Sequence, residues 1–269
     1  MMTRRHVLAA AIPAGAAQRR PFSWPPGKKA ALSLTFDDAR ASQITTAIPL
    51  LDACRTPATL YVSPPNVLKL AEDWKRVAAA GRHEIGNHSY THPCTGNYRF
   101  AREKALEDFT LEKMAEDLDK ATEFIRTRLG VTPVSFAYPC GQKFVGRGEN
   151  TRSYVPLVAK RFLSGRGYLD EAANDPEVCD LASLMGTGFD GLNYDQMMEL
   201  MQKAVDESRW LIFVGHDVGQ PARQSVDAKA LERLCRFAAG GANGIWIDTV
   251  ETIARYLLKQ RKSDPAGDE

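Results

Sequence analysis

Two histidines four residues apart, in His88-Ser89-Tyr90-Thr91-His92, and two adjacent carboxylates, in Thr35-Phe36-Asp37-Asp38, are the residues best suited to chemistry. Imidazoles at that spacing can face one divalent ion from a single turn of backbone, and a carboxylate from elsewhere completes a three-ligand set. Three protein ligands leave a position open, the arrangement of a catalytic ion rather than a structural one. Position 89 is Ser where a zincin helix carries Glu, so the base must come from another segment. Asp37 beside Asp38 can supply it, one carboxylate binding the ion and the other taking a proton from water. An N2O set suits zinc best, with cobalt, nickel or iron compatible.

Elements must bring those segments together. Strand-like and helix-like runs alternate along the chain with short turns and no internal repeat, the pattern of a parallel α/β architecture. Strands are expected at Ala30–Thr35, Ala58–Val62, His83–Gly86, Ser135–Tyr138, Leu163–Tyr168, Leu181–Met185, Trp210–Gly215 and Gly244–Ile247. Helices are expected at Ser42–Cys54 with Ser42 as N-cap, Leu70–Ala80 stopped by Gly81, Tyr154–Phe162, Asp195–Ser208, Leu231–Ala239 and Val250–Leu258. Leu111, Met114, Leu118, Ile125 and Leu129 recur at helical spacing between a capping Thr110 and the stop at Gly130 and Pro133. Asp37 and Asp38, His88 and His92, Tyr138-Pro139-Cys140-Gly141, and His216-Asp217 then each lie just beyond the C-terminal end of a strand. In a barrel those ends converge on one face, where catalytic groups of α/β barrels are built. With 269 residues a single domain is expected, a barrel over residues 28–260 followed by a polar tail at 261–269.

The start of the chain, Thr3-Arg4-Arg5-His6 followed by a short apolar run to Ala16, reads as a twin-arginine export signal over residues 1–17. The run is far below the roughly 20 residues that span a bilayer, which predicts an exported, periplasmic or secreted protein with no membrane span, or a cytoplasmic one if the segment is no signal. Losing Arg4 and Arg5 brings the basic residues level with the 33 acidic ones, so no electrostatic case for nucleic acid remains, and neutral polymers such as glycans are compatible partners. Five cysteines allow at most two disulfides; Cys94 and Cys140 each follow a motif placed at the site, where a bridge would clamp two loops, while Cys54, Cys179 and Cys235 read as core.

Together, Thr35-Phe36-Asp37-Asp38, Gly86-Asn87-His88-Ser89-Tyr90-Thr91-His92-Pro93, Phe136-Ala137-Tyr138-Pro139-Cys140-Gly141 and Gly215-His216-Asp217 resemble, in order and spacing, the metal-dependent polysaccharide deacetylases of carbohydrate esterase family four. The resemblance implies a distorted (β/α)7-8 barrel that removes acetyl groups from N-acetylated, or sometimes O-acetylated, sugars. It implies Asp37 as catalytic base, Asp38, His88 and His92 as metal ligands, His216 as general acid and the backbone N–H of Cys140 as oxyanion donor. Many members carry an arginine where this chain has Ala137 and an aromatic residue where it has Cys140, and an Asp-x-x-Asp-Trp-like fourth motif is not visible. Arg166, in Ser164-Gly165-Arg166-Gly167, is the candidate to replace that arginine beside Asp37. Tyr138 and Trp246 are candidate substrate contacts, and Trp74, Tyr90 and Tyr98 could also stack on sugar rings. His83 reads as structural and Ser89 as a turn support rather than a nucleophile. Two other functions fit the residues: hydrolysis of a small non-peptide amide, and glycan binding without catalysis. An open groove favours a polymer and a closed pocket a small substrate.

Overall fold

The structure, a computed structural model, describes residues 22–241 and 243–262. Eight strands form one sheet: β1 (Ala30–Asp37), β2 (Thr59–Val62), β3 (Glu84–Asn87), β4 (Ser135–Ala137), β5 (Ser164–Arg166), β6 (Thr187–Gly188), β7 (Trp210–Gly215) and β8 (Ile245–Ile247). Seven run in the order β5-β4-β3-β2-β1-β7-β6, every pair parallel. β8 pairs with the first residues of β1 and β2 with its last three, on registers Ala30↔Ile245 and Asp37↔Tyr61. Two strands thus share one long partner in succession, and a single bridge between Arg166 and Leu184 links β5 toward β6. The result is a curled, incompletely closed α/β barrel of one domain, as the alternating pattern and the resemblance imply.

The sequence explains most elements. β1 and β7 are buried throughout, the near-continuous apolar signature of parallel strands covered on both faces. Helices α1 (Ile48–Ala53), α2 (Ala71–Ala80), α3 (Leu111–Leu129), α5 (Tyr194–Asp206) and α6 (Ala228–Ala238) pack around the sheet, α4 (Val155–Arg161) beside β5. Thr110 caps α3 by accepting from the Lys113 N–H, and left-handed Gly130 ends it. The methionines of α5, Met197 and Met201, are buried core, as their spacing indicates. The last helix, α7 (Val250–Lys262), has its first N–H groups held inside the barrel, Val250 by the Thr59 hydroxyl at 2.9 Å and Glu251 by the buried Glu84 carboxylate at 2.9 Å. A carboxylate at that helix end satisfies orphan donors and complements the dipole.

Three expectations are corrected. Leu181–Met185 is not a strand: Leu181–Ser183 forms a 3-10 turn whose Asp180 side chain accepts the Ala182 N–H at 2.9 Å, and the sixth strand comes later, at Thr187–Gly188. Ser42 caps no helix, because its hydroxyl donates to Asp217 at 2.6 Å and the helix starts with a π-type turn, Gln43–Ala47. Residues 261 and 262 belong to α7, and Arg261 donates to the Pro176 carbonyl, so the polar tail starts later than expected. The expected export signal at residues 1–17 lies outside the described residues. Among them, no helix is long and apolar enough to cross a membrane.

Candidate active site

The site is built where β1, β3, β5 and β7 end. β1 delivers Asp37 as its last residue, and Asp38 follows with φ 78°, a left-handed backbone that turns its carboxylate away from that of Asp37. The Asn66 amide holds the Asp38 carbonyl at 2.8 Å. β3 ends at Asn87, whose side chain accepts the Ser89 N–H at 2.7 Å and donates to Leu118 and Thr122 of α3. Buried Asp117 of α3 accepts the N–H groups of Tyr90 and Thr91, and the Ser89 hydroxyl accepts that of His92 at 2.9 Å. The loop carrying both histidines is therefore hung on α3 by backbone bonds. Ser89, fully buried with φ 61°, supports that turn as expected.

His88 Nε2 lies 3.6 Å and His92 Nε2 3.4 Å from Asp38 Oδ1. Those three atoms lie within 4.8 Å of one another, a separation one ion can bridge. The Ala137 carbonyl, 2.9 Å from His88 Nδ1, must be met by an N–H, which leaves the Nε2 lone pair facing the cluster. Burial opposes the Asp38 anion, but the three imidazoles and Arg40 outweigh it and lower its pKa to about 2. Burial, with His88 beside it, pulls His92 down to about 4. At neutral pH the carboxylate is thus charged and the His92 ring neutral, the protonation states that metal ligands need, so these residues fit a divalent cation. Arg40 grips Asp38 Oδ2 through Nε at 3.1 Å and Nη2 at 2.9 Å, and reaches Asp217 at 2.7 Å, leaving Oδ1 toward the histidines. A second metal-like group, His92 with Cys94 and Cys140, is closed to metal because the two sulfurs form a disulfide, a pairing the sequence leaves open. That bond ties the histidine loop to the turn Pro139–Gly141, where Cys140 lines the cleft with φ 54°.

Asp37 is 3% exposed. Arg166, fully buried, donates to Asp37 Oδ1 and to the Gly167 carbonyl, and lies 4.8 Å over the Tyr61 ring. Ala137 and Arg166 are register partners on β4 and β5, so the guanidinium missing at 137 arrives from the neighbouring strand across a residue small enough to let it pass. Gly186 opens the space: a β-carbon there would stand 2.6 Å from Arg166 Cδ. Asp37 Oδ2 is left 3.9 Å from His88 Nε2, facing the ligand cluster.

His216, at the end of β7, bonds through Nδ1 to Asp190 Oδ2 at 2.5 Å, and its N–H to Asp190 Oδ1 at 3.0 Å. Burial opposes the imidazolium, yet the Asp190 bond and the charges of Asp37, Asp190 and Asp38 raise the His216 pKa above its ordinary value. Asp190 is the residue the sequence reading missed. Its signal is Phe189-Asp190 just after the two-residue β6, an echo of Phe36-Asp37 at the end of β1, and the two phenylalanine rings pack 5.8 Å apart. Arg40, Asn87 and Asp117 were also missed; Asp117 is detectable as an acid on the otherwise apolar face of α3.

Asp37, Asp38, His88, His92, Cys140 and His216 all line one cleft of about 1040 Å³. Two expected contacts do not. The Tyr138 hydroxyl donates to the Ala182 carbonyl at 2.6 Å from a fully buried ring, and Trp246 sits opposite Ala31 at the far end of β1, against Trp24 and Tyr256. Both are packing residues. So is Trp74, fully buried, and Tyr90 stacks under Lys120. Tyr98 does line the cleft. His83 is structural, receiving the Ala58 N–H at 3.2 Å with Asp52 beside it at 3.3 Å. Of the three free cysteines Cys235 is buried, while Cys54 and Cys179 are half-buried.

Comparison with known proteins points one way. Residues 25–154 match the family model described as polysaccharide deacetylase. A stretch of 94 residues is 34% identical to YlxY, an uncharacterized protein of Bacillus subtilis (strain 168), covering 35% of this chain and 26% of that protein's length. A structure from Mycobacterium smegmatis assigned to the polysaccharide deacetylases superposes with a TM-score of 0.62 at 18% identity, covering 90% of this chain and 94% of the other. The peptidoglycan deacetylase PdaC from Bacillus subtilis superposes with a TM-score of 0.51 at 16% identity, covering 89% and 96%. At those identities the likeness speaks for the fold.

Proposed function

We propose that the chain, whose residues 25–154 match the polysaccharide deacetylase family model, is a metal-dependent hydrolase removing acetyl groups from the N-acetylated, or O-acetylated, sugars of a polysaccharide. The observation that carries the reading is the convergence of Asp37, Asp38, His88, His92 and His216 from separate strand ends on one cleft. Amide hydrolysis needs an activated water, stabilisation of an oxyanion and a proton for a poor leaving group. Each need has a resident.

Asp38, His88 and His92 would hold the ion, zinc by their chemistry, with cobalt, nickel or iron as alternatives. Once bound, a divalent ion supplies Lewis acidity, polarising the acetyl carbonyl and making water a stronger acid, worth several kcal/mol of barrier. Asp37 Oδ2 accepts the proton of the attacking water while Arg166 fixes the other oxygen. The Cys140 N–H, at the cleft wall, donates to the developing oxyanion, the kind of contact worth about 2.7–4 kcal/mol. His216, carrying its proton by virtue of Asp190, donates it to the leaving nitrogen, a step worth roughly 10²–10⁴-fold. The candidate ligand and proton-transfer residues line one cleft, which supports catalysis over glycan binding alone. A cleft at the upper end of the roughly 300–1,000 Å³ common for small-molecule pockets favours an oligosaccharide over a small amide.

Acetate release from chitin-like, xylan and peptidoglycan fragments, before and after chelation, tests the reading. Release from at least one glycan, abolished by chelation and restored by zinc, is expected; activity confined to small amides would favour the amidohydrolase alternative. Export of the protein is part of the proposal and is read separately, as loss of residues 1–17 from the mature form.

A further inference from the structure

The wall of the cleft carries cations that the mechanism does not use. Every carboxylate lining it is committed: Asp37 to Arg166, Asp38 to Arg40 and the ligand cluster, Asp190 to His216. Lys104 and Arg223 line the same cleft, and among the described residues neither forms an ion pair. The Lys104 ammonium donates to the Thr91 carbonyl, beside ligand His92, and feels the Asp117 and Asp38 carboxylates without forming an ion pair with either. Arg223 is exposed, electrostatically coupled to Tyr168, whose ring packs 5.5 Å from that of His216. One cation without an ion-pair partner among the described residues therefore stands on the histidine-ligand side and one on the proton-donor side. Tyr98 and Phe100, 44% and 61% exposed, stack on each other at 5.5 Å on the rim next to Lys104. Unpaired cations lining a cleft raise the local concentration of anionic substrates and select against neutral ones.

Resting on the deacetylase reading, we propose that the substrate is an anionic glycan, with Lys104 and Arg223 recognising carboxylate or phosphate groups on sugars flanking the acetylated one. The sugar faces lie against Tyr98 and Phe100, and the ion's charge adds to the same field. Neutral glycans lack the groups that these cations would pair.

The test uses the zinc-loaded full chain and a tetrasaccharide alternating glucuronate and N-acetylglucosamine, with its carboxylates free or methyl-esterified. A 6-O-phosphorylated chitotetraose separates phosphate from carboxylate recognition. The free acid is expected to show a KM about tenfold below that of its ester, and the advantage to shrink as salt is raised. Tetragalacturonate, which has no acetyl group, gives a calorimetric Kd without turnover and is expected to bind about tenfold tighter than its methyl ester. Arg223→Gln, which breaks no hydrogen bond or ion pair among the described residues, and Lys104→Gln should each cut the acid-to-ester ratio, and the double variant should bring it near one. Arg126→Gln, a remote surface charge paired with Glu123, should leave the ratio untouched. Equal KM values for acid and ester, or a preference that survives in the double variant, overturn the inference while leaving deacetylation standing. Failure to release acetate from any of the glycans overturns both.

Discussion

At the residue scale the account turns on two carboxylates that are neighbours in sequence but have different partners. Asp37 faces a buried guanidinium and Asp38 a pair of imidazoles. Asp37→Asn should therefore keep one equivalent of bound metal and lose about 10²-fold or more in kcat, whereas His92→Ala should lose both, as read by metal analysis beside acetate release. Arg166→Met leaves the Asp37 charge buried without a partner and should cost about 3–5 kcal/mol of stability in denaturant titration. The Asp190 bond raises the His216 pKa against burial, so His216 keeps its proton above about pH 6.5, and the rate should fall only as pH rises through that raised value. Asp190→Asn should move the alkaline limb of the kcat profile to lower pH. The same shift stabilises the fold fully below the ordinary histidine value of about 6.5, and this contribution is lost as pH climbs from there through the folded-state pKa. Of these residues, Asp37, Asp38, His88 and His92 stand out by type and spacing, whereas the roles of His216 and Arg166 enter only through the family resemblance. Asp190 was not legible, because a two-residue strand offers no periodicity to mark its end.

At the element scale, long periodic elements were readable and short ones were not. Strand Trp210–Gly215 and helix Leu111–Leu129 agree with the sequence reading, since six buried residues in a row and a five-member helical stripe leave little choice. The segment 181–188 was misread because Leu181, Ala182 and Leu184 are buried while making only a turn, so hydrophobicity there reports packing and not extension. Tyr138 shows the same limit, since an aromatic residue beside a motif in sequence can point into the core, and half-buried Trp246 packs against Trp24 and Tyr256 away from the cleft. The Cys94–Cys140 bridge, which the sequence leaves open, closes a separation of 46 residues, worth about 4 kcal/mol on a chain-entropy basis. Cys94→Ser with Cys140→Ser should lower unfolding free energy by roughly 2–4 kcal/mol and reduce kcat through a looser oxyanion turn. Chemical denaturation alongside acetate release separates the two effects.

At the scale of the whole molecule, the barrel gathers groups 179 positions apart in sequence, Asp37 to His216, on one face. Alternating strands and helices implied that convergence; the uneven closure around β1 and the gap toward β6 did not show in sequence, because they depend on register rather than composition. The central claim is that one divalent ion, held by Asp38, His88 and His92, makes this face a deacetylase. The most direct measurement titrates metal-free protein with zinc while following acetate release from an N-acetylated glycan. Activity should rise from near zero and break at one equivalent; acetate released at an unchanged rate by fully chelated protein would contradict the account.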